Sequence, residues 1–327
     1  MGGAALVCRS VADEHPETAL RLSRARITLA FDRGGVLPPY PGSALRGLLG
    51  HGLRRVFCIT GRRECAGCAL LARCRYVSLF EPRRGHTLAG GRLVRPPQPW
   101  VLGLAPRYPS AVEAGETLQF FLTLMGPARE ALSWIALGLD HAGRLGLGRD
   151  RATFVVDDVC VEHFPGSNRW VMPPESAAEV AWPGSAPVPA TPARGVAVQL
   201  LTPLRLRRRG RLVRPVDFSP DRFLEALWAR IHDLLLLYGE PVGGTMPDLP
   251  LPRTAAPGPK SDLHWVDWAR YSSRQRTHMK MGGIVGRFFL DGETVTRWWR
   301  YLWLGQWVHV GKQTSMGLGA YRLVPGL

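Results

Sequence analysis

A duplicated α+β fold is what this sequence predicts, and three observations predict it. The order strand, helix, strands, helix, Gly-rich turn, strand occurs once in each half of the 327 residues. The tripeptide Gly146-Leu147-Gly148, which follows the last helical pattern of the first half, recurs as Gly317-Leu318-Gly319 at the same place in the second. Between the halves, residues 165–192 are rich in Pro, Ala and Ser and carry few pattern signals, as a linker does. A repeated βαββαβ order is the ferredoxin-like architecture, shared by RNA-recognition motifs. The expected organisation is one unit over residues 1–164, a linker over 165–193 and a second unit over 194–327.

Each element has its own reason. Residues 25–32 alternate as a strand should, and Gly34-Gly35 with Pro38-Pro39 turn the chain after it. Ser43 is expected to cap a helix over 44–57, with Leu45, Leu48, Leu49, Gly52 and Val56 on its core stripe. His51 falls off that stripe, on a polar flank shared with Gly47, Arg54 and Arg55. Residues 83–109, rich in Gly, Pro and Arg, predict an irregular excursion or hairpin. Residues 116–125 alternate again, and a helix starting near Pro127 carries Leu132, Ile135, Ala136 and Leu139 inward before the strand 152–160. In the second half, 196–201 is a strand, and Ser219-Pro220-Asp221 opens a helix with Phe223, Leu227 and Ile231 on its apolar face. A Pro- and Gly-rich loop over 242–260 leads to paired strands at 265–271 and 283–290 around a basic turn. The pattern over 293–307 is helical, with Trp298 and Trp299 more consistent with core than with base-stacking platforms.

Charge narrows the function. The formal net charge is +16, and only Lys260, Lys280 and Lys312 are lysines, so arginine carries the excess. Arginine binds phosphate bidentately and stacks on bases, which points to a nucleic-acid partner rather than a membrane surface. Arg205, Arg207, Arg208, Arg209, Arg211 and Arg214 fall together with no acid among them, and Arg274, Arg276 and Lys280 cluster in the later turn. Both groups are expected to hold RNA backbone. No apolar run approaches the roughly 18 residues of a membrane span, and residues 1–17 do not form a signal peptide. A cytoplasmic location is expected.

Four of the six cysteines follow the first helix as Cys58, Cys65, Cys68 and Cys74, spaced C-x6-C-x2-C-x5-C. In a basic chain without a leader this reads as a thiolate metal site, with structural zinc ahead of an iron–sulfur cluster. Four thiolates would leave no open position for catalysis. The last turn, His309 to Tyr321, packs Gly311, Gly317 and Gly319 around Lys312, Thr314 and Ser315. Glycines at positive φ can bring backbone N–H groups close to phosphate, though a sharp helix-to-strand turn uses glycine for geometry alone.

Taken together, three segments resemble the RAMP-superfamily endoribonucleases that process CRISPR precursor RNA, the Cas6 family: Tyr40 to His51, the cysteine block ending in Phe80-Glu81-Pro82, and His309 to Tyr321. Residues 270–275 and 281–286 are also similar. The resemblance implies two ferredoxin-like domains, a CRISPR repeat RNA substrate, metal-independent cleavage with no catalytic cofactor, and other Cas effector subunits as partners. It points to His51 as general acid/base, Tyr40 as a second proton relay, and Arg55, Arg54 or Arg46 as the cation on the phosphorane. His309 and His278 are reserve candidates. The same resemblance admits a non-catalytic subunit that only holds the RNA handle.

Overall fold

The computed structural model describes residues 20–62, 64–83, 86–87, 93–94, 96–105, 107–173, 188–239, 261–272 and 277–325. Two four-stranded antiparallel arrangements of the same topology make up the protein. In the first unit, β1 (Leu22–Phe31), α1 (Gly42–Phe57), α2 (Arg75–Phe80), β2 (Trp100–Gly103), β3 (Thr117–Met125), α3 (Leu132–Gly143) and β4 (Phe154–Glu162) follow in order. Its strands lie side by side as β2-β3-β1-β4. In the second, β5 (Val196–Leu204), α4 (Pro220–Tyr238), β6 (Asp262–Ser272), β7 (Thr277–Leu290), α5 (Gly292–Val308) and β8 (Tyr321–Pro325) give β6-β7-β5-β8. The first strand of each unit is central and the last sits beside it. That is the double ferredoxin-like fold.

The sequence signals explain most of these elements. In β1, Ala25, Ile27, Leu29 and Phe31 are buried at alternate positions, as period two requires. Along α1, Leu45, Leu48, Leu49 and Leu53 join the first core while His51 and Arg55 face solvent. The expected inward Val56 is replaced by Leu53, since the stripe winds round as the helix lengthens. Ser43 is not the cap: the helix starts at Gly42, two residues earlier than expected, with Pro41 at the N-cap and no side-chain bond. On α5, Asp291 does cap, its carboxylate accepting from the Thr294 amide at 2.8 Å.

The stretch 83–109, expected to be an irregular excursion or hairpin, holds the short antiparallel pairing of 86–87 with 93–94 and also the strand Trp100–Gly103. Its position is fixed by Trp100, fully buried, which donates from Nε1 to the Leu79 carbonyl at 2.9 Å and stacks near Phe80. The first unit also runs past residue 164, because Trp170–Val171 pairs with Val161 and Glu162 as an added edge. Residues 174–187 of the expected linker, the 242–260 loop and the N-terminal segment to residue 19 lie outside the described residues. No described helix is long and apolar enough to cross a membrane.

The two units share buried surface. Leu20, Leu22, Val101 and Met125 of the first pack into the hydrophobic cluster of the second. Across the same seam the Arg24 guanidinium lies 4.1 Å from the Phe121 ring centre and 5.2 Å from that of Trp307 on α5. Arg24 also pairs at 2.9 Å with Glu162, whose side chain is fully buried.

Helices α1 and α3 cross where both lack side chains. A Cβ on Gly52 would sit 1.9 Å from the Gly138 carbonyl oxygen, so the crossing is set by backbone contact. Gly47, five residues earlier on the solvent side, has nothing within 4 Å of such a Cβ. Gly52→Ala is expected to cost about 3 kcal/mol through forced separation of the helices, whereas Gly47→Ala should stabilise by about 0.5–1 kcal/mol. Urea unfolding of the two variants checks the contrast; equal effects would contradict the packing described.

Candidate functional site

The first side chain of the candidate site is His51, exposed on the outer flank of α1 with Arg54 three positions on and Arg55 four. Residues at those spacings are surface neighbours on a helix. Arg55 is exposed, while Arg54 is half-buried, its guanidinium 5.8 Å from the Tyr76 ring centre and bonded to the Arg62 carbonyl. Gly47, on the same flank, leaves open space beside the histidine. A histidine beside two guanidinium groups on an unobstructed surface can transfer a proton to a polyanion held against it.

Five residues before His51, Arg46 connects α1 to the Gly-rich loop. Its Nε donates to Ser315 Oγ at 3.2 Å, and its guanidinium lies 4.6 Å from the Phe80 ring centre. The loop presses on the start of the same helix: a Cβ at Gly42 would sit 2.0 Å from the Met316 carbonyl oxygen. Thus Arg46, Thr314, Ser315, Gly317 and the base of α1 meet at one place.

The loop itself is closely packed within the protein. Six of its amides bond within the protein: Val310 to the Gly319 carbonyl, Lys312 to Arg205, Met316 and Leu318 to Gln313, Gly317 to Thr314, and Gly319 to Pro203. Thr314, Ser315, Gly317 and Gly319 are buried. At Gly319 the backbone has φ 72°, and a Cβ would fall 1.8 Å from the Val310 carbonyl oxygen. Close packing of backbone on backbone is therefore what the glycines serve. Thr202 locks the loop from beneath, donating from Oγ1 to the Gly317 carbonyl at 2.7 Å and accepting from the Ala320 amide at 2.9 Å. Thr202 carried little signal in the sequence; the one clue was a hydroxyl followed by proline inside a mostly apolar strand. Of the loop's expected contacts, Lys312 is the exposed side chain, beside the half-buried Gly311.

Other expected contacts divide sharply. Arg205 is turned inward, 8% exposed, with its guanidinium bonded to the Gly282 carbonyl. Its place is in the frame that holds the loop. Arg207, Arg208, Arg209 and Arg211 are exposed on a hairpin in which 207–208 pairs with 211–212. Arg214 lies over Trp265, 3.8 Å from the ring centre, a cation–π contact the sequence did not reveal. Arg274 and Arg276 lie outside the described residues, and of Lys280 and His278 only the strand backbone is described.

Tyr40 does not reach the surface with its hydroxyl. The ring packs against Trp268, 5.2 Å between centres, and the buried hydroxyl has no hydrogen bond of ordinary geometry among the described residues. Burial raises the phenol far above its usual range, with the nearby Tyr108 adding to the effect. A hydroxyl buried in this way does not present itself to an RNA lying on the surface.

The expected four-thiolate zinc site is also not formed. Cys58, Cys65, Cys68 and Cys74 line one cavity, yet among the described residues no group of three or more His, Cys, Asp or Glu could hold a metal. The thiols fall into pairs. Cys58 and Cys68 lie 3.9 and 3.8 Å from the Thr60 hydroxyl, while Cys65 and Cys74 lean on the core. The chain spacing brings the thiols together without converging them.

His309 is excluded from surface chemistry by burial. It is 4% exposed, with φ 58°, and Nδ1 has no hydrogen-bond partner among the described residues. Burial, reinforced by the Arg230 and Arg24 charges, pushes its imidazole down to about 3. The unfolded imidazole protonates below about 6.5, while the folded one resists until about 3. Stability is therefore fully present above 6.5 and is lost on acidification, at about 1.4 kcal/mol per pH unit from this group. His309→Asn should flatten that slope in urea unfolding between pH 7 and pH 5. An unchanged slope would contradict the buried neutral histidine.

Comparison with known proteins fits this architecture. Residues 198–321 match the family model described as CRISPR-associated endoribonuclease Cas6, and residues 20–181 match an N-terminal domain model, AF_1859_N. The match to the Cas6 family model thus lies within the second unit, and the match to the N-terminal domain model within the first. Among solved structures, a Thermus thermophilus Cas6 in its product complex is similar over 93% of this chain and 99% of its own, at 16% identity and a TM-score of 0.53. A partial Cas6-RT-Cas1–Cas2 complex is similar over 94% of this chain and 46% of that longer one, at 15% identity and a TM-score of 0.52. At these identities the likeness is one of fold. No curated protein matches the chain.

Proposed function

We propose that this protein binds CRISPR repeat RNA and cleaves the precursor without a metal ion, and that it works beside other Cas subunits. The observation that carries the reading is an exposed histidine flanked by Arg54 and Arg55 in a chain with a Cas6 family domain. The net charge of +16 and the exposed arginine hairpin support a polyanionic substrate.

In this reading the RNA lies across the outer flank of α1. A base removes the 2′-hydroxyl proton, a bond forms from O2′ to phosphorus, and the bond to the 5′ oxygen breaks as an acid protonates it. The products are a 2′,3′-cyclic phosphate and a 5′-hydroxyl. His51 is assigned the general acid/base role. Arg55, with Arg54 behind it, is assigned to the extra charge on the phosphorane. With the Tyr40 hydroxyl turned inward, the second proton transfer is left to solvent. The exposed Arg207, Arg208, Arg209, Arg211 and Lys312 are assigned to the RNA backbone, with Arg274, Arg276 and Lys280 as expected further contacts. The association with other Cas subunits draws on the partial complex of Cas6, RT, Cas1 and Cas2.

The test is incubation with the repeat RNA in EDTA, beside a substrate that is 2′-deoxy at the cut. Cleavage of the first alone is expected. His51→Ala should slow cutting by about 10²–10⁴-fold while RNA affinity stays within a few-fold. Tight binding with no cutting by the unaltered protein would make it a subunit that holds the RNA handle.

A further inference from the structure

The cavity beyond the C-terminus of α1 is unused in this reading. It encloses about 290 Å³ between the end of that helix, the cysteine knuckle and the start of α2. Its walls are apolar and aromatic: Phe57, Leu71, Tyr76 and Val77. Its mouth carries two apolar side chains in water, Ile59 at 87% and Leu70 at 46% exposure. Around them stand the exposed Arg62, Arg73 and Arg75, against the single carboxylate of Glu64. Arg62 is tied to Arg54 on α1 through its carbonyl, so the rim is continuous with the flank that carries His51.

An apolar cavity ringed by guanidinium groups matches a specific ligand chemistry. Single-stranded RNA offers a flat apolar face on each unpaired base and a phosphate on either side. Such bases are read by turning them out onto aromatic side chains while arginines hold the phosphates. The volume is at the small end for ligand pockets, about 300 Å³ and upward, which suits one base and not a larger group. An acidic or neutral peptide would leave the aromatic walls and the phosphate-matching arginines less well used.

We propose that this cavity receives one unpaired nucleotide of the bound RNA, its base against Phe57 and Tyr76 and its phosphates on Arg62, Arg73 and Arg75. The proposal rests on the reading of the chain as an RNA-binding protein. It adds a contact that fixes the RNA along α1 and ties recognition to a base next to the cut strand.

The four cysteines in the cavity wall report on its occupancy, and Cys160 on β4 serves as an internal control. The repeat RNA, made 2′-deoxy at the cut so that it is bound but not cleaved, is added at saturation and alkylation by N-ethylmaleimide is followed by mass spectrometry. RNA is expected to slow alkylation of Cys58 and Cys68 by about tenfold, a protection matching one stacked base, and to leave Cys160 unchanged. The double variant Ile59→Asp, Leu70→Asp, altered only at the exposed mouth, should bind RNA about tenfold more weakly at an unchanged Tm. RNA that binds, by anisotropy, while all five thiols react at their free rates would overturn the proposal and leave the RNA-binding reading standing. Absence of RNA binding would overturn both. Thiols that are unreactive before RNA is added and react only after chelation would assign the cavity to a metal ion and overturn the proposal.

Discussion

The structure depends on one constraint, the close packing of the Gly-rich loop between the two units. Gly319 folds onto the Val310 carbonyl, Lys312 donates to the Arg205 carbonyl, and Thr202 bonds both Gly317 and Ala320. On its other side the loop meets Gly42 and Arg46 of α1 and packs Gly317 against Leu104. A side chain at Gly319 would overlap backbone, which has no rotamer to escape into. The position of α1 relative to the second unit, and with it the position of His51, follows from that packing.

This arrangement separates framing from chemistry. The residues that sequence makes conspicuous, the glycines, His309 and Arg205, are inside, where their polar groups are matched by the chain or, for His309, held neutral by burial. Charge available to a ligand is carried instead on side chains that project from helix and hairpin surfaces: Arg55, the 207–211 hairpin and Lys312. Phosphate recognition by long arginine side chains tolerates a rigid, closed backbone beneath.

Much of this was legible in the sequence, for physical reasons that can be named. Period-two burial in β1 and the apolar stripes of α4 and α5 set the two βαββαβ orders, and the duplication emerged from order alone. The flank of α1 that holds His51, Gly47, Arg54 and Arg55 followed from helix geometry. Less was legible where long-range packing decides. Nothing local marked Trp100–Gly103 as a strand, since its place depends on Trp100 reaching back to Leu79. Tyr40 and Arg205 are polar residues in polar surroundings of sequence, and only the approach of Trp268 and Gly282 from far along the chain turns them inward. Cysteine spacing implied convergence, but a knuckle tethered to both a core and Thr60 divides the thiols. Loop glycines were ambiguous from the start, because positive φ serves ligand approach and tight packing alike.

The central claim is that RNA is cut on the outer flank of α1. A structure of the protein bound to repeat RNA carrying a 2′-deoxy at the cut tests it most directly. The account predicts the scissile phosphate within hydrogen-bond reach of the His51 imidazole, with the Arg55 guanidinium on a non-bridging oxygen. A scissile phosphate seated away from α1, with His51 facing bare solvent, would contradict it.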